Sequence, residues 1–172
     1  MKIPTITVKK VMSWSPCYTE GKIQGFFRKK KSLTLLEVLR LKKVSTEDKF
    51  WALLRNDFFT VKELRLLSCD FAEHTLWIFE KYNKEDKRPH QAIETARKYA
   101  KGEATEEERA AAMDAARAAA WAAMDARAAA RAAWAAGAAR AAARAARAAA
   151  MDAEEKWQIK KVKELILSKW GV

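Results

Sequence analysis

Glycine is scarce in this chain, five residues in all, and none are arranged as a loop able to cradle phosphate. Histidine is scarcer still: His74 and His90 stand alone, on separate predicted helices. Cys69 and His74 are five positions apart, a spacing that does not align them on one helix face. A zinc site would therefore need Cys17 or a distant acid to complete it. No nucleophile elbow and no metalloprotease helix is present. Glu80, Asp86 and Glu94 stand beside Lys81, Lys87, Arg88 and Arg97 and read as salt-bridge partners, not as paired acid–base carboxylates. The expectation is a protein that is not an enzyme, with no catalytic residue, no metal and no cofactor.

Two cysteines, Cys17 and Cys69, suit reduced thiols better than a disulfide framework. No signal-peptide pattern, transmembrane run or lipidation motif is recognised, so a cytoplasmic protein without membrane contact is expected.

What is abundant is positive charge and alanine. The net charge is +12 and the isoelectric point near 9.8, which directs attention to an acidic partner or to nucleic acid. From Thr105 to Glu155 seven arginines face eight acids, so the excess lies toward the two ends of the chain. Arg28, Lys29, Lys30 and Lys31 form a basic loop and are the candidate nucleic-acid contacts.

Of the 44 residues from Ala110 to Ala153, 29 are alanine, the strongest intrinsic helix former. Thr105 and Glu108 have the spacing of a capping box, and Glu106 and Glu107 place negative charge in the first turn. An unbroken helix from Glu106 to Ser168 would be roughly 95 Å long, against about 40 Å for a compact chain of this size. Gly137 interrupts the run, and a mid-helix glycine costs about 1 kcal/mol relative to alanine. A break near Gly137 into two antiparallel arms is predicted. Arg109, Arg117, Arg127 and Arg131 share an arc of about 80° on the first arm, and Arg140, Arg144 and Arg147 one of about 60° on the second. Alanine faces then let helix axes approach closely. Met113, Trp121, Met124 and Trp134 are expected to pack as core anchors. Regular arginine and aspartate rule out a membrane span, and the lack of large a/d residues rules out a long coiled coil.

Elsewhere, residues 1–17 are rich in β-branched residues and read as an extended arm or short strand, with a turn at Ser15-Pro16. Helices are predicted over Tyr18–Phe27, from Ser32 or Thr34 to Val44, from Ser45 to about Asn56, and from Thr60 to about Tyr82. A polar loop from Asn83 to Pro89 precedes another that stops at Gly102. Trp157, Ile159, Val162, Leu165 and Ile166 make a final amphipathic stripe. The whole is predicted as one all-α helical bundle over residues 1–172: an extended arm over 1–17, mixed-core helices over 18–102, and an alanine-rich hairpin with a C-terminal helix over 105–170.

Several stretches together resemble a family of small, alanine-rich helical immunity proteins of bacterial toxin systems, also carried by phages and mobile elements. They are Trp14-Ser15-Pro16-Cys17-Tyr18, Leu35 to Leu39, Glu47 to Arg55, Glu63 to Leu67, and Cys69 to Ala72. The most specific is Asp86-Lys87-Arg88-Pro89, continuing through Gln91 to Glu94 and from Ala100 to Thr105. The resemblance implies a non-enzymatic inhibitor that binds a protein target, either a toxin or, if phage-borne, a defence nuclease such as a CRISPR effector. Contacts are then sought on Asp86, Lys87, Arg88 and His90 and on the arginine faces; the other reading of Asp86 and Arg88 is that they only pin the loop. The alternative is a basic nucleic-acid-binding protein acting through non-specific backbone contacts. An alanine face left open would be a seam for a homodimer.

Overall fold

The computed structural model describes the backbone of residues 2–81, 83–133 and 137–171, and the side chains of these except for 122–147. The fold is all-α apart from one small sheet. In chain order the elements are β1 (Thr5–Thr7), α1 (Val8–Met12), α2 (Glu20–Phe27), β2 (Ser32–Thr34), α3 (Leu35–Leu39), α4 (Thr46–Leu53), α5 (Val61–Glu80), α6 (Arg88–Lys101), α7 (Glu106–Ala133) and α8 (Gly137–Trp170). They divide into two compact units, one of residues 1–60 and 155–172 and the other of residues 61–154.

The first unit begins with an antiparallel pairing of β1 and β2, in which Ile6 faces Leu33 and Thr5 and Thr7 face Thr34 and Ser32. Both central residues are buried while their neighbours face outward, the period-two alternation of a half-buried strand. Each strand ends on a threonine that caps the helix it runs into. Thr7 Oγ1 accepts the Lys10 amide at 3.2 Å, and Thr34 forms a reciprocal box with Glu37. Of the extended arm or short strand expected over residues 1–17, the strand forms at Thr5–Thr7, and the Thr7 cap then turns the chain into α1, which buries Val11. Of the two helix starts expected here, Thr34 is the one the structure uses, as the N-cap of α3, while Ser32 lies in β2.

Ser45 caps α4 by accepting the Asp48 amide at 3.1 Å. The most deeply buried side chains of this unit are Ile6, Leu35, Leu53, Phe59, Val162 and Ile166. The last two come from the final turns of α8, where Trp170 also meets Phe59 edge to face at 5.4 Å. Trp14 packs edge-on against Trp51 and Phe58.

In the second unit α6 packs against both α5 and α7. Gly102 ends α6 at φ 85°, its amide donating to Tyr99 O and that of Glu103 to Lys98 O, a Schellman closure. Thr105 and Glu108 then form the expected capping box, at 2.7 and 3.2 Å. The alanine-rich stretch is assigned to α7 and α8, on either side of the expected break. Residues 134–136, next to Gly137, lie outside the described residues. So do the side chains of 122–147, and with them the packing of the two arms. The C-terminal amphipathic stripe continues α8 and is not a separate helix.

Two glycines separate backbone from steric effects. A Cβ added at Gly25 or Gly102 meets nothing within 4 Å, but only Gly102 has a left-handed φ. Gly102→Ala should lower the unfolding free energy by about 1 kcal/mol. Gly25→Ala, inside α2, should raise it by about 0.5–1 kcal/mol. Urea denaturation of both variants checks the pair, and a shift of the same sign in both would refute it.

Candidate functional site

The polar surface of the second unit is organised around α6. Asp70 and Glu73 stand three apart on α5 and so share one face, and Arg97 of α6 bridges them. Its Nη2 donates to Asp70 Oδ1 at 2.7 Å and Glu73 Oε2 at 2.7 Å, and its Nη1 to Glu73 Oε1 at 2.8 Å. The fork holds the Glu73 carboxyl below its ordinary range and raises the guanidinium in turn. Two positions on, the Tyr99 ring carries Arg65 of α5 at 4.6 Å and Arg109 of α7 at 5.3 Å. One ring thus ties three helices by cation–π contacts. Arg109 also forks onto Glu106, holding that carboxyl at about 2.

The predicted contact residues Asp86, Lys87, Arg88 and His90 come together at the α5–α6 turn. Arg88 donates Nε to Asp86 Oδ1 at 2.9 Å and Nη2 to Oδ2 at 2.6 Å, while its own amide bonds Oδ1 at 3.1 Å. This closes the loop on itself and lowers the Asp86 pKa, with the Arg88 side chain the main cause. Lys87 Nζ donates to Lys84 O at 2.9 Å. His90 Nε2 lies 2.7 Å from Glu80 Oε1, joining the start of α6 to the end of α5. Arg117 pairs with Asp114 at 2.8 Å on the exposed side of α7. Arg127, Arg131, Arg140, Arg144 and Arg147 lie outside the described side chains.

The large apolar residues of α7 depart from expectation. Trp121 is 66% exposed and Met113 is also exposed, so neither is a core anchor; Met124 and Trp134 lie outside the described side chains. The more protected face of α7 is Ala112, Ala115, Ala116 and Ala119, with Ala119 only 1% exposed. At 100° per residue Trp121 points about 180° away from the middle of that face. Close helix packing through alanine leaves the tryptophan outside.

Sequence reasoning also missed Trp77 and Ile78 on α5, 53% and 38% exposed. The signal was there: Leu76-Trp77-Ile78-Phe79 is a run of four large apolar residues, and consecutive helical positions cannot all face one core. Trp77 lies one turn before Glu80, the residue bonded to His90. An exposed aromatic is thereby set one turn from the Glu80–His90 bond.

In the first unit a cavity of about 560 Å³ is walled by Ile23, Phe26, Phe27, Leu33 and Trp51, with Cys17, Glu47 and Asp48 also lining it. Tyr18 donates its hydroxyl to Asp48 Oδ2 at 2.7 Å across one side. The basic run lies elsewhere in this unit. Arg28 follows α2 at φ 55°, and Lys30 donates to Glu37 Oε1 at 2.5 Å. Arg28, Lys29 and Lys31 are exposed. Among the described residues no group of three or more His, Cys, Asp or Glu could hold a metal ion. Among them, too, no helix is long and apolar enough to cross a membrane.

Glu37 gives a direct check on this geometry. Its pKa is lowered from 4.5 to about 2, first by the Lys30 hydrogen bond, then by the Thr34 backbone and hydroxyl. A depressed folded-state value means its stabilising contribution is present above about 4.5 and is lost as pH falls through about 2. Lys30→Gln should move the Glu37 midpoint part of the way back toward 4.5, because Thr34 still holds the carboxylate. Carboxyl-detected NMR titration measures it; an unmoved midpoint would show that Lys30 does not hold Glu37.

Residues 60–165, well over half of the chain, match the family model described as "Imm-5 like putative immunity protein". No curated protein and no solved structure gives a significant match.

Proposed function

This chain belongs to the Imm-5-like family of immunity proteins, and from that membership we propose that it is a non-enzymatic inhibitor acting in the cytoplasm by binding a protein target. The target is a bacterial toxin or, where the gene is carried by a phage, a host defence effector such as a CRISPR nuclease. Family membership is the observation that carries this reading. The second unit supplies a surface suited to it. Its helices are braced by Arg97 and Tyr99, so residues on them are held with little conformational freedom to lose on binding. Exposed Trp77 and Ile78 offer an apolar centre, and His90, bonded to Glu80 one turn further along α5, adds a polar edge, the usual anatomy of a protein interface. Tryptophan and arginine are the residues that most often dominate binding energy. Asp86 has the supporting role of fixing Arg88.

The test is affinity purification from the native host at moderate salt after nuclease treatment, which should return one stoichiometric protein. With that partner in hand, Trp77→Ala should weaken binding by about 30-fold, the loss of a typical hot spot. Its thermal melt should be little changed, because Trp77 is half exposed. Failure to recover any stoichiometric protein would sink the reading.

A further inference from the structure

The net charge of +12 is not shared between the two units. Residues 1–60 and 155–172 hold 18 Lys and Arg against 7 Asp and Glu, a balance of +11. Residues 61–154 hold 16 against 15, a balance of +1. Local pairing differs in the same sense. In the second unit Arg88, Arg97, Lys98, Arg109 and Arg117 each sit on a carboxylate. In the first, Arg28, Lys29, Lys31, Arg40, Lys42 and Lys43 are exposed and have no ion-pair partner among the described residues.

We propose that the first unit is a second binding module, whose ligand is the phosphate backbone of a nucleic acid, held by two basic loops at the two ends of the β2–α3 segment. Arg28, Lys29 and Lys31 precede β2, and Arg40, Lys42 and Lys43 follow α3. The Lys30–Glu37 bond pins the first loop to α3, and Arg40 is the C-cap residue of that helix. Three strand residues and five helical residues separate the loops, a reach of at most roughly 17 Å. That covers about five phosphates at 3.4 Å per strand.

The surface between the loops decides the class of partner. A protein interface has an apolar centre from which charge is depleted, but Leu33, Leu35, Val38 and Leu39 are all turned into the core. Cations without an exposed apolar centre fit a nucleic-acid interface, which is polar and strongly positive. This module goes beyond the inhibitor reading and is independent of it, since the two basic loops lie outside the family-matched residues.

The experiment titrates the full-length protein with a fluorescent duplex DNA of arbitrary sequence from 50 to 200 mM salt. Six phosphate contacts predict a log–log salt slope of about −5 and an affinity loss of about 10³-fold over that range. The triple variants R28Q/K29Q/K31Q and R40Q/K42Q/K43Q should each make the slope shallower by about 3. K62Q/K84Q/K101Q, which removes equal charge from exposed positions of the second unit, should leave the slope alone. Should a triple variant lose its fold by circular dichroism, K42Q/K43Q replaces it, with a change of about 2 expected. Absence of binding at 50 mM salt would overturn the proposal, as would equal weakening by the second-unit control. Polyglutamate displacing the DNA as well as unlabelled DNA does would also overturn it, in favour of an acidic polypeptide partner. No protein target enters the assay, so its outcome leaves the inhibitor reading untouched.

Discussion

The small size of the alanine side chain is the constraint on which the second unit depends. Ala112, Ala115, Ala116 and Ala119 make the protected face of α7, and Ala100 is buried on α6, which packs against it. Methyl groups let helices approach toward the short end of the ordinary 8–10 Å separation, but each contributes little apolar area. The contact must therefore be long, and directional ties must supplement it. Arg97 gripping two carboxylates and Tyr99 holding two guanidinium groups provide those ties. The same constraint turns Trp121 outward, since no large side chain fits a seam built for methyl groups.

The first unit solves its packing differently. Short elements follow one another through side-chain caps at Thr7, Thr19, Thr34 and Ser45. Large residues such as Phe59, Leu53 and Ile166 fill the interior. Eight of its cations, Arg28, Lys29, Lys30, Lys31, Arg40, Lys42, Lys43 and Arg55, lie in the loops between these elements. The second unit balances its sixteen cations with fifteen acids, and among its described residues Arg88, Arg97, Lys98, Arg109 and Arg117 are paired directly.

Helices were legible where local chemistry decides them. Thr105–Glu108 and Gly102 each mark a terminus by the hydrogen bonds they make, and the structure shows those bonds. The β1–β2 pairing was not legible, because it depends on Ile6 finding Leu33 across twenty-seven positions. The outward turn of Trp121 was hidden for a related reason. Hydrophobicity says that tryptophan prefers burial, and only the choice of alanine as the packing face reverses that preference. The Asp86–His90 cluster was visible as a motif, but its attachment to Glu80 depends on how α5 and α6 meet.

Val162 and Ile166 complete a core whose other members lie within the first 60 residues. Val162 follows Phe59 by 103 positions. At a ribosomal rate of about 5–20 residues per second, synthesis of that interval takes about 5–20 s. The second unit's own residues fill almost all of that interval, so its mostly local helical contacts can form only as it is being made. Leu35, Leu53 and Phe59 meanwhile wait for the side chains that will cover them. The connectivity thus sets one condition on assembly: the core of the flanking unit closes only once residues 162–166 have been made.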